Sequence, residues 1–334
     1  MIFILFWNFV ISSEYYTEIN GADNDICHIL SPCSFSRMAA LAKPKDIIYV
    51  NGQTIEEPDD LEQIRDLFMI ALSKGAIITS NNMTINGTKF RKSAISFIVV
   101  QSTTDSRIDH FHFTGFSCSI ACFRTVEKGV ISNSYFTNNH IIGGIGMLSF
   151  GVGKCKLEEC ILSKNTVLNS SLITMFSTHL YLNLTIIERN FVKSTSRQAL
   201  LFAINSVCEY TNTPIRYNSS PYAPLHQFEF RSCFGFWNCT FEFNKHPETM
   251  LCDGTCEFNF TNTTISNNMG SFLTTSIRSI VSFNESAIIH NYSGNRPLFY
   301  LPGSSFYIYH PCSFVENHGF SLIDTTGMKS IINI

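Results

Sequence analysis

The chain has 334 residues, 15% of them charged, with a formal net charge of -3. That length can bury a sizeable core, while so weak a charge provides no field to gather nucleic acid or an anionic membrane surface, and neither is expected as a partner. Twelve cysteines, several of them close in sequence, suit an exported chain better than a cytosolic one.

Residues 1–13 open the chain with an apolar run, Met1 to Ile11, too short to cross a bilayer and followed by Ser12 and Ser13. They read as a signal peptide that lacks the usual positive charge. Residues 14–79 form an N-terminal region with a helix expected at about 59–74. Asp59 and Asp60 start it, Leu61, Ile64, Leu67, Phe68, Ala71 and Leu72 make its apolar face, and Gly75 ends it. Its expected role is to cover an otherwise exposed strand edge.

Residues 80–334 carry a repeat. A small polar residue or Cys, a large apolar residue two positions on, and Asn three further on recur eight times. The apolar row is Phe136, Leu162, Ile187, Ile215, Phe241, Ile265, Ile288 and Phe314. The Asn row is Asn139, Asn165, Asn190, Asn218, Asn244, Asn268, Asn291 and Asn317. Successive asparagines are 26, 25, 28, 26, 24, 23 and 26 residues apart, and Ile85 and Phe113 extend the apolar row backwards without the Asn. A leucine-rich repeat needs leucines where this chain has Phe, Ile, Ser and Thr. β-branched and aromatic residues broken by Asn, Gly and Ser are strand-and-turn chemistry. The reading is an all-β fold, a right-handed parallel β-helix of about ten coils, stacked about 4.8 Å apart. The apolar row then points inward and the Asn row sits at a turn as a ladder of amides. The last coil is expected to be incomplete, with an edge-covering partner at its C-terminal side.

Phe136-x-x-Asn139, Phe241-x-x-Asn244 and Phe314-x-x-Asn317, with Gly143-Gly144-Ile145 after the first, resemble the repeats of the chlamydial polymorphic membrane proteins and the Pmp-like surface proteins of trichomonad parasites. The resemblance implies a right-handed β-helix displayed outside the cell for adhesion or host contact. A host-cell surface protein or glycan is the partner it implies, and no transmembrane anchor is seen in the chain.

The candidate chemistry is sparse. Gly144-Ile145-Gly146 reads as a turn and not a phosphate loop, because no second-strand acid accompanies it. Asp105, Asp109, His110 and His112 are the densest polar cluster. His110 and His112 could share a strand face and hold a metal, but no third ligand can be placed, so a solvated face is expected, with no metal and no cofactor. A polysaccharide lyase or glycoside hydrolase, the alternative function, needs acids and bases clustered on one strand face. Here Glu158 and Glu159 are neighbours pointing to opposite faces and Asp324 stands alone. The expectation is therefore a secreted or cell-surface binding protein without catalysis, or a truncated member of its family without activity. Cys208 and Cys233 are a candidate disulfide between adjacent coils. Among the N-x-S/T sequons, Asn169 and Asn183 are candidate glycosylation sites, whereas Asn218 and Asn291 belong to the ladder and are expected to stay bare.

Overall fold

The computed structural model describes residues 13–23, 27–90, 96–102, 104–193, 198–275, 278–309, 311–325 and 331–333. The signal-peptide reading therefore lies outside the described residues except for Ser13. The chain winds into a parallel β-solenoid of about nine turns. Two α-helices lie among the described residues, α1 (Phe35–Leu41) and α2 (Pro58–Ser73).

Each full coil crosses three long walls and, after the third, a short stack of parallel strands that includes His140–Ile142, Thr166–Leu168 and Phe191–Lys193. The first wall begins with Ser96–Ser102 and runs through the start of Ser119–Ser132 and of Leu148–Glu158 to Ile323–Asp324. The second begins earlier, with Glu14–Ala22, Ile47–Val50 and Ile77–Asn86, and continues through Ser106–Thr114 to Ile331–Asn333. The third carries the apolar row. In it Phe136 pairs with Leu162, Leu162 with Ile187, and so on in unbroken register to Phe314. Phe113, Ile85 and Ile55 extend that row backwards. All of these side chains are buried except Phe314, which is half-buried. Because side chains alternate along each strand, one register row faces the core over the whole length of the rod.

The Asn row is a continuous hydrogen-bonded ladder. The Nδ2 of Asn139 donates to Oδ1 of Asn165 at 2.9 Å, and the same bond recurs at every step to Asn317, between 2.9 and 3.1 Å. Each receiving Oδ1 also accepts the backbone N–H of the preceding asparagine. Each Nδ2 gives its second proton to a carbonyl of the previous coil, such as Phe136 O for Asn165. A buried amide thereby has both donors and its acceptor occupied, which removes the cost of burying it. The left-handed backbone conformation falls on the residue before the asparagine: Asn138, Lys164, Arg189, Tyr217, Phe243, Asn267, His290 and Glu316 all have φ between 49° and 56°. Such a conformation is unfavourable for a side chain with a Cβ, so the ladder holds a turn that local preference alone would not choose. Gly143 and Gly144, at φ 67° and 84°, form an open turn with no heavy atom within 4 Å of where a Cβ would stand.

Helix α2 begins one residue before the expected start, with Pro58 in its first turn and Asp59 and Asp60 at the positive end of its dipole. Its apolar face is fully buried against α1 and the strand Ser96–Ser102, so it covers the opening edge of the first wall. The solenoid nevertheless starts before residue 80, because Glu14–Ala22 and Ile47–Val50 already stack in the second wall. Those strands carry no FxxN copy, so the repeat could not reveal them.

The candidate bridge between Cys208 and Cys233 is corrected. Both thiols are free, because the register sets Val207, not Cys208, opposite Cys233. Cys208 points into the core and Cys233 points to solvent. The disulfides join Cys27 to Cys33 and Cys252 to Cys256. Burial pushes the thiol pKa of Cys155 and Cys160 up to about 12, which leaves them as inert apolar packing.

Candidate functional site

The outer face of the second wall collects the charges that look scattered along the sequence. Strand alternation turns Arg107 and Asp109 outward from Ser106–Thr114, and Lys154, Lys156 and Glu158 outward from Leu148–Glu158. His179 and Tyr181 follow from Thr178–Asn183, and Glu209 from Val207–Thr211. Register then stacks them. Lys128 lies beside Lys154, and Lys154 beside His179. Lys156 lies beside Tyr181, and Tyr181 beside Glu209. Asp109, Ser132, Glu158 and Asn183 form the next row.

Two depressions lie along this wall and adjoin at Lys128, which lines both. One, of about 460 Å³, is lined by Lys45, Asp105, Arg107, Lys128 and apolar neighbours including Ile47 and Ile77. The other, of about 300 Å³, is lined by Lys128, Lys154, Lys156, Tyr181, Asn183, Glu209 and Thr211 over the buried Cys155 and Leu182. A depression of about 480 Å³ also lies along Ser219, Lys245, Met269 and Tyr292. It holds no carboxylate, so its size does not make it the better site for acid–base chemistry.

The groove charges are held in two ways. Lys156 Nζ donates to Glu158 Oε1 at 2.6 Å, and this bond, outweighing burial, holds the Glu158 carboxyl below its usual range. Burial acts to raise the Asp109 carboxyl. Hydrogen bonds from Ser132, Asn133 and His110, with the nearby Arg107 charge, together outweigh it and leave the carboxyl lowered. Arg107 is anchored by Nε donating to Ser132 Oγ at 2.9 Å. Lys128 and Lys154 are exposed and make no ion pair among the described residues, so their ammonium groups stand open at the groove.

Beside them is a chain of three side chains. His179 Nε2 lies 2.9 Å from Glu209 Oε1, and the Tyr181 hydroxyl lies 3.2 Å from His179 Nδ1. The His179 and Tyr181 rings stack with centroids 4.1 Å apart. Burial and the Glu209 charge both raise the Tyr181 phenol pKa, so its hydroxyl keeps its proton at neutral pH.

The cluster that stood out in sequence does not converge. His110 pairs with Asp109 at 2.9 Å, while His112 lies 2.6 Å from Thr137 Oγ1, and His110 itself takes φ 60°, which breaks the strand alternation. Among the described residues no three His, Cys, Asp or Glu side chains come together as a metal-holding group. Asp109 stands instead in the outward row with Ser132, Glu158 and Asn183. Glu159 sits in a left-handed turn at φ 52°, outside the strand that carries Glu158. Asp324 lies in the last described strand of the first wall, away from the groove.

No family model matches the chain, and no curated protein does. Three solved structures are similar to it. One is described as pectate lyase Pel9A, with 13% identity over 92% of this chain and 80% of that one and a TM-score of 0.40. Another is a rhamnogalacturonan lyase, with 10% identity over 96% and 87% and a TM-score of 0.34. The third is a lacto-N-biosidase from Eubacterium ramulus, with 8% identity over 96% and 68% and a TM-score of 0.28. All three are named as enzymes, contrary to the expectation of a chain without catalysis. No helix among the described residues is long and apolar enough to cross a membrane.

Proposed function

We propose that this chain is a polysaccharide-active parallel β-solenoid protein whose second-wall groove takes an acidic polysaccharide. One observation carries the reading: Arg107, Lys128, Lys154 and Lys156 come from consecutive coils onto one face, interleaved with Asp109, Glu158 and Glu209. Cations at coil spacing suit a polymer with a carboxylate on each sugar, because charge-assisted hydrogen bonds are the strong polar contacts. The Tyr181 and His179 rings offer a flat apolar surface beside them. Work outside the cell fits the two disulfides.

Binding of the purified chain to immobilised polygalacturonate, with a neutral glucan as control, tests this. The acidic polymer alone is expected to retain the protein, and rising salt to release it. Equal retention on the neutral glucan, unaffected by salt, would contradict the reading.

Glycan placement follows from the same geometry. Asn169 is exposed, whereas Asn218 and Asn291 are buried in the amide ladder. Asn183 lines the groove, so a glycan there and an occupied groove exclude one another. Glycopeptide mapping of exported protein is expected to find Asn169 modified and Asn218 and Asn291 bare; a glycan on either ladder residue would contradict the ladder.

A further inference from the structure

Resting on the reading above, we infer that Tyr181, backed by His179 and Glu209, is an acid–base unit that cleaves a uronate-containing polysaccharide by β-elimination. A carboxylate only accepts hydrogen bonds, so at 2.9 Å from Glu209 the His179 Nε2 carries the proton. That tautomer leaves Nδ1 without a proton, and the Tyr181 hydroxyl lies 3.2 Å from it across the stacked ring faces, so a turn of the imidazole brings the Nδ1 lone pair onto the hydroxyl. Nucleophile-and-base pairs are built on the same plan, with a third group orienting the base. Here the outermost member is a phenol instead of a serine or cysteine, which suits proton transfer to and from carbon and oxygen.

The substrate class follows from the neighbours. Lys156 stands one coil before Tyr181 in the same register row, with Lys154 in the adjoining row. An acidic sugar whose carboxylate meets these ammonium groups brings the hydrogen on its α-carbon toward the Tyr181 oxygen. That hydrogen is acidified by the carboxylate, and the lysines stabilise the charge that develops there.

The step balances. The α-carbon–hydrogen bond breaks and its proton goes to the Tyr181 oxygen, while the Tyr181 proton moves to His179 Nδ1. The electron pair left on carbon forms the α,β double bond. The bond from the β-carbon to the glycosidic oxygen breaks, with its pair going to that oxygen. His179 then returns the proton through Tyr181 to the leaving oxygen, giving an unsaturated uronyl end and a new hydroxyl end. Oxidant, reductant and water are all unnecessary. Glu209 is the positioning residue, holding the tautomer and stabilising the imidazolium as it forms.

The test compares wild type, Tyr181→Phe and Glu209→Gln on polygalacturonate and on alginate. Unsaturated ends are read by ultraviolet absorbance and mass spectrometry, and polymer binding is measured in parallel. Wild type is expected to release unsaturated ends. Tyr181→Phe, which keeps the ring stack, is expected to bind as wild type while product formation falls roughly 10²–10⁴-fold. Glu209→Gln is expected to lower kcat at unchanged KM and to shift the pH profile, with Glu209→Asp restoring part of the rate. Elimination by Tyr181→Phe at the wild-type rate, saturated reducing ends from wild type, or binding by wild type without cleavage would each overturn the inference while leaving the binding reading standing. Failure of wild type to bind either polymer would instead remove the reading on which it rests.

Discussion

Moving the protein from about pH 7.5 to about pH 5 is expected to cost it about 4 kcal/mol of stability through two buried histidines, His226 and His246. His226 is fully buried among Tyr210, Phe228 and Phe241, and neither ring nitrogen has a hydrogen-bond partner of normal geometry. Burial pushes its pKa from 6.5 down to about 3, against a small opposing pull from the Thr249 backbone. His246 is lowered to about 3 as well, by burial first and then by the His226 charge. The unfolded chain takes up these protons below about pH 6.5 while the folded chain refuses them, so stability is intact above that pH and falls as the pH drops toward 3. Each histidine contributes about 2 kcal/mol of that loss at about pH 5. The half-buried His112, also lowered by burial, acts in the same direction. The lowered carboxyls of Asp109 and Glu158 start from 3.8 and 4.5, so their losses come at lower pH, while the Glu248 carboxyl, raised by burial, acts in the opposite direction to the histidines. Denaturant midpoints measured across that window are expected to fall steeply for wild type and less steeply for His226→Phe. A flat profile, or one that His226→Phe leaves unchanged, would show that these rings do not resist protonation.

Asn218→Ala is expected to destabilise the fold by on the order of 3–6 kcal/mol, because several buried groups lose a partner together and each unsatisfied group costs about 1–3 kcal/mol. The backbone N–H and Nδ2 of Asn190 lose their shared acceptor, the Ile187 carbonyl loses a donor, and Asn244 Oδ1 loses one of two. Asn317→Ala serves as the comparison. It stands half-buried at the end of the ladder, where water replaces most of what is lost, so its cost is expected to be no more than about 1–2 kcal/mol. Thermal or denaturant unfolding of both variants checks the order. Equal small losses would mean that the amide ladder holds little of the fold.

Much of the third wall was legible because a solenoid repeats its constraints. Phe136, Leu162 and Ile187 must be apolar at one register row, and Asn139, Asn165 and Asn190 must be amides at the next turn, so the pattern recurs once per coil. Strands Glu14–Ala22 and Ile47–Val50 stack in the same solenoid without the amide, and nothing periodic marks them. The groove was missed for a different reason. Judging charges by sequence neighbours set Glu158 against Glu159, whereas the partners of Glu158 on its own face are Lys156 two residues back and, from other coils, Ser132 before it and Asn183 after it. The signal that could have found the site was the coil step itself, since one step carries Lys128 to Lys154, Lys156 to Tyr181 and Tyr181 to Glu209. Cys208 and Cys233 failed as a disulfide for a related reason, because an offset of one residue sends two side chains to opposite faces of a strand.

The most direct test of the groove compares two variants in polygalacturonate binding. Lys128→Ala combined with Lys154→Ala removes two exposed ammonium groups without disturbing an ion pair, and Lys245→Ala removes the lysine of the separate depression. The double variant is expected to lose at least about tenfold in affinity, since each charged hydrogen bond is worth about 1.5–3 kcal/mol, and Lys245→Ala to bind as wild type. Undiminished binding by the double variant together with a loss in Lys245→Ala would place the polymer elsewhere and contradict the account.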